Sequence, residues 1–168
     1  MTLFLDRQIG LEYPYSILIL YKIKKLLQNK KFFLVGENKN MERITSFSVD
    51  HRKLTKGVYV SRIDGDLITY DIRMTQPNVE PALKPEAAHT IEHIGATLLR
   101  NGKYKDQVIY FGPMGCMTGF YLIVRDLDLE IIKGIVKDVY TQIASWNQEI
   151  PGAKEEECGN YTFMDLEE

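Results

Sequence analysis

Two histidines placed four residues apart, His89 and His93, form the pattern in this sequence that most directly suggests chemistry. The apolar stripe around them follows Pro85 and predicts a helix, on which residues four apart share a face. Two imidazoles in that arrangement can bind one metal ion. Glu92 is turned by about 60° from His89 around the helix axis, so its carboxylate can reach a substrate on the metal without being a ligand. The alternative is a pair of ordinary surface histidines beside a solvated glutamate.

The cysteines are the candidates for a third ligand, because a catalytic metal site uses three protein ligands and an open fourth position. The chain has two cysteines, Cys116 and Cys158. Cys158 follows the acidic run Glu155–Glu157 in a predicted polar loop, where a thiolate would be accessible to a metal ion. The alternative is a free thiol on the surface.

Cys116 lies at the end of a turn, residues 112–116, between two predicted strands. A nearby divalent cation would lower the pKa of its thiol, so that it could act as a base or a nucleophile. Two alternatives stay open at this point. One is a small buried core cysteine, and the other is a disulfide with Cys158, which an intracellular setting disfavours.

The elements that must position these residues follow from the apolar periodicity, in which alternation predicts strands and a period near 3.6 predicts helices. The predicted strands are residues 44–49, 58–63, 67–74, 107–111 and 119–124, and the predicted helices run from Pro85 to Asn101 and through residues 131–143 up to a break at Pro151-Gly152. The turn Asp64-Gly65-Asp66 predicts an antiparallel hairpin. This pattern predicts an α+β fold, with a mostly antiparallel sheet covered by helices on one side.

Composition and charge exclude several classes of protein. A chain of 168 residues with 45% apolar and 26% charged residues is one globular domain, not a disordered, collagen-like or coiled-coil chain. Two cysteines exclude a disulfide-rich scaffold. Residues 41–168 carry 14 Lys and Arg against 20 Asp and Glu, and this acidic balance disfavours nucleic-acid binding. The longest apolar run, residues 15–21, is too short to span a bilayer.

The first forty residues differ from the rest, since they carry seven Lys and Arg against three Asp and Glu and predict a basic amphipathic helix. Such a helix could lie on a membrane surface. The interpretation that we favour is a leader, residues 1–40, joined by the polar stretch Glu37–Asn40 to a domain, residues 41–168, that naturally begins at Met41.

Six short motifs, taken together, carry a resemblance to a known family. They are SFSVDH at 46–51, YDIR at 70–73, QPN at 76–78, HTIEH at 89–93, GPMGCMTGFY at 112–121 and CGNY at 158–161. In this order they resemble the S-ribosylhomocysteine lyases, the LuxS family, over roughly residues 41–161. Every histidine and cysteine of the chain falls within one of the motifs.

The resemblance implies a role for each of eight residues. It implies His89, His93 and Cys158 as metal ligands, Glu92 and Cys116 as the acid/base residues of catalysis, and Ser46, His51 and Arg73 as groups that hydrogen-bond the sugar of the substrate. The metal of the family is ferrous iron, one per subunit, which zinc or cobalt can replace. The implied enzyme is a carbon–sulfur lyase. It cleaves the thioether of S-ribosylhomocysteine by successive carbonyl migrations and β-elimination, and it needs no nicotinamide or flavin.

The implied products are homocysteine and 4,5-dihydroxy-2,3-pentanedione, the precursor of autoinducer-2, which links the enzyme to quorum sensing and to the methionine cycle. The resemblance further implies a cytoplasmic homodimer in which sheets pack across the interface and the active sites are shared. No nucleic acid is an expected partner, and a membrane is one only if the leader is functional.

The chain departs from the family pattern in three places. Tyr110 stands where many relatives have an aspartate, and Gly112 stands where they have a serine. Relatives continue into a C-terminal helix, while this chain stops at Glu168, and the leader has no counterpart. Two other functions remain as alternatives: an HxxEH metallopeptidase, in which Cys116 would have no role, and a non-enzymatic metal-binding domain.

Overall fold

The structure, a computed structural model, describes residues 45–167. The predicted amphipathic leader and the predicted start at Met41 lie outside the described residues, and both stay predictions. Within the described residues, neither helix is long and apolar enough to cross a membrane.

Four strands and two α-helices make up the fold of residues 45–167. They are β1 (Gly57–Asp64), β2 (Leu67–Arg73), α1 (Pro85–Asn101), β3 (Val108–Pro113), β4 (Gly119–Arg125) and α2 (Leu129–Ala144). The strands form one sheet in the order β1-β2-β4-β3, and all neighbours are antiparallel. The predicted α+β class with an antiparallel sheet is confirmed. The hairpin between β1 and β2 is confirmed as well, with Gly65 at a φ of 64° in its turn.

The core lies between one face of the sheet and both helices. Phe120, Leu122 and Val124, alternate residues of β4, are each 0% exposed, as expected for the inward face of a strand. They pack in one cluster with Leu99 of α1 and Ile132 of α2. Both helices therefore cover the same face of the sheet, as predicted.

Glycine allows α1 to approach the sheet closely. A Cβ added to Gly95 in the middle of the helix would lie 2.6 Å from the ring of Phe111 in β3, so a larger residue would push the helix away. The helix begins at Pro85, because proline suits the first position of a helix.

The strand predicted at residues 44–49 is wrong. Thr45–Ser48 form a short 3-10 helix, and within residues 45–167 no strand pairs with this segment. A short stretch of alternating sequence does not form a strand unless a neighbouring strand pairs with its backbone.

The second helix also ends earlier than the predicted break at Pro151-Gly152. It stops at Ala144. Its C-terminal cap, Ser145, donates a hydrogen bond from its hydroxyl to the carbonyl of Thr141, 3.1 Å away. The polar residues that follow do not continue the apolar stripe, so nothing holds them on the sheet as a helix. The longer linker that results carries the chain from α2 back to α1.

Candidate metal centre and reactive thiol

His89, His93 and Cys158 come together in the folded chain. One ligand atom from each lies within 4.8 Å of the others. The two imidazoles are one helical turn apart on α1 and meet edge to face, with 4.8 Å between ring centroids. The Cys158 Sγ reaches them from the segment after α2 and lies 3.5 Å from His89 Nε2.

Backbone carbonyls select the tautomer of both imidazoles. His89 Nδ1 lies 2.6 Å from the carbonyl oxygen of Phe163, and His93 Nδ1 lies 2.7 Å from that of Pro151. A carbonyl can only accept a hydrogen bond, so each Nδ1 is assigned as the donor. In the neutral imidazole the lone pair is then on Nε2, the atom that would bind a metal.

The donor set fits a divalent transition metal. Two neutral imidazoles and one thiolate are soft to borderline ligands, which suit zinc, iron or cobalt better than magnesium or calcium. Three ligands leave a position open, as in catalytic sites. Both cysteines are free, so the disulfide alternative is wrong.

Glu92 lines a pocket of about 270 Å³ beside this cluster. The other lining residues are His93, Ala96, Thr97, Pro151 and Gly152. Gly152 adopts a φ of 69°, and a Cβ on it would lie 3.2 Å from His93 Nδ1. A glycine at this position therefore lets the chain pass close to the imidazole while the Pro151 carbonyl accepts its proton.

Cys116 lies in a second polar group, at the end of the sheet where β2 and β4 meet. Its Sγ is 3.0 Å from Thr118 Oγ1 and 3.7 Å from Arg73 Nη1. Partial burial on its own would raise the pKa of the Cys116 thiol, but hydrogen bonds from Thr118 and Arg73, with the arginine charge, lower it overall. Cys116 is exposed at the surface of the chain, and an exposed thiol with a lowered pKa is the environment in which reactive cysteines are found.

Arg73 is held in place by Asp71 on its own strand and by Thr118 in the turn before β4. It is 4% exposed, it forms an ion pair with the buried Asp71 and donates a hydrogen bond to Thr118 Oγ1. The paired carboxylate compensates the burial of the guanidinium. Burial and then the charge of Asp71 raise the pKa of the neighbouring Tyr121, so its phenol stays protonated and can donate a hydrogen bond.

The structure brings the eight predicted site residues together in part. His89, His93 and Cys158 form the cluster, Glu92 lies beside it, and Cys116 contacts Arg73. No hydrogen bond within residues 45–167 joins the cluster to the Cys116 group. The backbone of Ser46 lies in the 3-10 helix. His51 Nδ1 lies 2.9 Å from the carbonyl oxygen of Val49, and within residues 45–167 no hydrogen bond of His51 reaches the cluster or Cys116.

Thr118 and Asp71 contact the predicted site residues, although the motif analysis gives neither a role. Each lies two positions from a predicted site residue, Thr118 from Cys116 and Asp71 from Arg73. Residues two apart on a strand share a face, so the strand pattern could have indicated Asp71. Thr118 precedes β4, in the turn after Cys116, and carries no comparable signal.

The two departures on β3 are structurally linked. A Cβ added to Gly112 would overlap the hydroxyl of Tyr110, because residues two apart on a strand point to the same face. The phenol of Tyr110 therefore occupies the space above Gly112, where a serine side chain would otherwise stand. By register Gly112 lies opposite Tyr121, and Tyr121 lies opposite Asp71, so the pair continues the polar row that leads to Arg73.

The chain is similar to known proteins both as a match to a family profile and as identity to individual relatives. The profile of the family described as S-Ribosylhomocysteinase (LuxS) matches residues 44–168. The S-ribosylhomocysteine lyase of Desulfotalea psychrophila is 53% identical over 132 residues, which are 75% of this chain and 83% of that protein. The S-ribosylhomocysteine lyase of Clostridium acetobutylicum is 52% identical over 132 residues, or 75% and 84% of the two chains. That of Borreliella burgdorferi is 47% identical over 133 residues, or 76% and 85%. With a profile match over most of its length and relatives at about half identity, the chain belongs to the LuxS family of S-ribosylhomocysteinases.

Proposed function

We propose that this protein is a metal-dependent S-ribosylhomocysteine lyase. It cleaves the thioether of S-ribosylhomocysteine and yields homocysteine and 4,5-dihydroxy-2,3-pentanedione. The observation that carries the proposal is the cluster of two imidazoles and a thiol, His89, His93 and Cys158, next to the Glu92 pocket in a chain of the LuxS family.

The residues that would hold the metal are His89, His93 and Cys158, with one ion per subunit. Ferrous iron is the metal that we propose, with zinc or cobalt as substitutes, because all three accept a mixed nitrogen and sulfur ligand set. When bound, a divalent ion supplies Lewis acidity, which withdraws electron density from a carbonyl oxygen and makes the adjacent carbon more acidic.

The chemistry of the substrate explains why proton transfers dominate. The carbon–sulfur bond is at C5 of the ribose, and C4 carries no acidic proton while the carbonyl is at C1. Two isomerisations move the carbonyl to C2 and then to C3, and the C4 proton becomes acidic. Removal of that proton expels homocysteine from C5 by β-elimination. The two products together contain all the atoms of the substrate, so no external oxidant or reductant is consumed.

Cys116 and Glu92 are the residues that would move these protons. The lowered pKa of Cys116 favours its thiolate over that of an ordinary cysteine, and a thiolate can accept a proton from carbon. Thr118 and Arg73 stabilise that thiolate by hydrogen bonding. The Glu92 carboxylate lines the pocket beside the metal ligands and would carry a proton between neighbouring oxygens of the sugar.

Ser46, His51 and Arg73 are the proposed contacts to the sugar hydroxyls. Of these, Arg73 has the clearest position, since its guanidinium lies against Cys116. A sugar bound there would have its carbon chain beside the thiolate that removes its protons.

We propose a homodimer with shared active sites as the active unit. The face of the sheet opposite the helices is not covered by a helix within residues 45–167, and these residues include exposed large apolar side chains, among them Phe47 at 64% and Val79 at 69%. A second copy would cover apolar surface and bring a Cys116 group to a metal cluster. Free thiols in the site suit a reducing compartment, so we place the enzyme in the cytoplasm, where its products would serve quorum sensing and the methionine cycle.

The test is thiol release from S-ribosylhomocysteine by metal-free protein and by the same preparation reloaded anaerobically with Fe²⁺, Zn²⁺ or Co²⁺. We expect homocysteine to appear, as read with a thiol reagent, only after reloading. Hydrolysis of a general peptide substrate by the reloaded protein, with no homocysteine released, would overturn the proposal in favour of a metallopeptidase.

A further inference from the structure

Thr90 lies between the two histidines on α1 but has no role in the proposal above. Its side chain is 4% exposed, and its hydroxyl makes two hydrogen bonds. It donates its proton to the carbonyl of Glu86, 3.0 Å away on the same helix, and accepts from the backbone N–H of Asp165 at 2.9 Å. The second bond joins α1 to a residue 75 positions away in the sequence.

The segment that contains Asp165, residues 158–167, supplies two groups to the metal centre. Cys158 is one of the three ligands, and the carbonyl of Phe163 accepts the proton of His89 Nδ1. The segment contains no helix or strand and consists of turns. Its turns are closed by local bonds such as Phe163 N–H to the Asn160 carbonyl at 3.0 Å. Such bonds set its shape but not its place on α1.

Besides the Cys158 N–H bond to the nearby Lys154 carbonyl at 2.9 Å, three hydrogen bonds in the described part of the chain join residues 158–167 to α1. Two of them are made by His89, through its two ring nitrogens. The third is the Thr90 bond. The bond between Cys158 and His89 Nε2 is lost when a metal binds, because both atoms then bind the ion, and the Nδ1 bond belongs to the same ligand imidazole. The Thr90 bond does not involve a ligand atom, so it can hold the segment in place with or without metal.

We propose that Thr90 is a positioning residue of the metal centre. Its buried hydroxyl anchors the Asp165 N–H, which holds the Phe163 carbonyl on His89 Nδ1 and keeps Cys158 within reach of the two imidazoles. Thr90 thereby acts through the Phe163 carbonyl and Cys158 and touches neither the metal nor the substrate. This inference rests on the proposed metal site.

The principal variant is Thr90→Val, which keeps the branched shape and removes the hydroxyl. Groups that orient a metal ligand through a hydrogen bond are typically worth about 10- to 100-fold in metal affinity. We expect Thr90→Val to weaken the binding of Co²⁺ by about tenfold, at the low end of that range because its action is indirect. Thr90→Ser, which restores the hydroxyl, should return the affinity close to that of the wild type.

The matched control is Thr141→Val. Thr141 on α2 donates its hydroxyl proton to the carbonyl four residues earlier, 2.7 Å away, as Thr90 does. Thr141 is exposed, however, and its hydroxyl makes no hydrogen bond to residues 158–167. This variant loses the same type of intrahelical bond and should bind Co²⁺ as the wild type does.

A second pair of variants removes the other partner of the bond and leaves the core untouched. Asp165→Pro removes the backbone N–H that donates a hydrogen bond to the Thr90 hydroxyl. Asp165→Ala keeps that N–H and removes only the side chain. We expect the proline variant to lose Co²⁺ affinity as Thr90→Val does and the alanine variant to keep it. This pair decides the matter even if Thr90→Val fails to fold.

The measurement is titration of metal-free full-length protein with Co²⁺ against a chromophoric chelator, followed by the visible spectrum of the bound cobalt and by amide hydrogen exchange of residues 158–167 before metal is added. The proposal requires weaker binding and faster exchange in Thr90→Val and Asp165→Pro alone. Wild-type affinity and exchange in both variants would overturn it and leave the proposed function intact. A wild-type protein that binds no Co²⁺ would overturn the proposed metal site together with this inference.

Discussion

At the scale of single residues, the two cysteines have different surroundings and therefore different chemistry. Cys158 Sγ lies beside an imidazole of a three-residue ligand cluster, where a metal ion would hold it as thiolate. Cys116 Sγ lies beside a guanidinium and a hydroxyl, which stabilise a thiolate without capturing it. Only the second arrangement leaves the sulfur free to exchange protons.

Alanine substitutions should separate these two roles. Cys158→Ala removes one of three ligands and should lose both bound metal and turnover. Cys116→Ala should keep about one metal ion per subunit and lose turnover by a factor of about 10²–10⁴ or more, because one proton shuttle serves several steps. Elemental analysis and thiol release on the same anaerobic preparation measure both properties. If Cys116→Ala lost the metal while Cys158→Ala kept metal and activity, the two assignments would be exchanged.

The reactivity of Cys116 should depend on pH in a defined direction. Because its pKa is lowered, the thiolate persists to lower pH than in an ordinary cysteine, and alkylation by iodoacetamide should reach half its maximal rate below the usual range. Thr118→Val removes a stabilising hydrogen bond and should move that midpoint upward. The peptide that contains Cys116 can be followed by mass spectrometry, with an unfolded sample as the reference. An unchanged midpoint in the variant would show that Thr118 does not stabilise the thiolate.

The same lowered pKa affects stability. The folded state holds the thiolate more favourably than the unfolded state does, so this contribution is fully present above the unfolded pKa and is lost as the pH falls through the folded pKa.

At the scale of secondary-structure elements, α1 and β3 show what determines the geometry of the site. Helix α1 presents both imidazoles on one side and its apolar residues to the sheet on the other. Strand β3 carries Tyr110 and Gly112 on the face that bears Tyr121 and Asp71. A substitution on either element is therefore expected to change both the packing of the core and the geometry of the site.

Tyr110 and Gly112 should behave as a coupled pair. Gly112→Ser places a side chain where the Tyr110 hydroxyl stands, so it should destabilise the protein or displace the phenol. In a Tyr110→Ala background the space is free, and the same serine should cost less by about 1 kcal/mol. Gly115→Ser, where an added Cβ meets nothing within 4 Å, serves as the uncoupled control. Denaturant unfolding of the single and double variants gives the coupling, and additive effects would contradict it.

The elements were predictable where a periodic pattern met a specific boundary residue. Pro85 and the apolar stripe gave the start and the buried face of α1, and alternation around Tyr70 gave β2. Residues 44–49 show the limit, because short alternation without a partner strand did not form a strand. Strand pairing is a property of the folded chain and not of the segment.

The site was predictable where its side chains are chemically distinctive. Histidine and cysteine are scarce in this chain, so type and spacing made His89 and His93 candidate ligands and the cysteines candidates for a third. The family resemblance selected Cys158, and the three residues cluster in the structure. The carbonyls of Pro151 and Phe163 were not predictable, since every residue carries a carbonyl and only the fold selects which one meets an imidazole.

At the scale of the whole molecule, the candidate metal ligands and the group around Cys116 are two separate sets of side chains within the described residues. The homodimer proposed above would join one set from each subunit. Two mutually dependent sites would then lie on either side of the symmetry axis.

Subunit exchange tests this arrangement. Glu92→Gln and Cys116→Ala proteins should each be inactive, but after mixing and exchange a mixed dimer holds one site with both residues intact. With random pairing the mixture should regain about a quarter of wild-type activity. Thiol release before and after exchange measures it, with each variant exchanged against itself as the control. No recovery despite demonstrated exchange would place both residues of a site in one subunit.

The domain boundary also makes a prediction. The family match begins at residue 44, so a protein of residues 41–168 should keep the activity and solubility of the full chain. Thiol release and sedimentation with vesicles compare the two. A marked loss of activity, or vesicle binding that requires residues 1–40, would assign a function to the leader.

The separation of His89 and Cys158 by 69 residues also affects the unfolded chain. A metal ion bound to both closes a loop that contains β3, β4 and α2, much as a long-range disulfide would. Closing a long loop removes conformational entropy from the unfolded ensemble, and the gain grows slowly with loop length. The ion would thus act as a reversible cross-link. A chelator could open it, whereas opening a disulfide requires a reductant. The protein that carries it should resist heat and proteolysis in proportion to how much of it is loaded, so metal supply would regulate its lifetime as well as its activity.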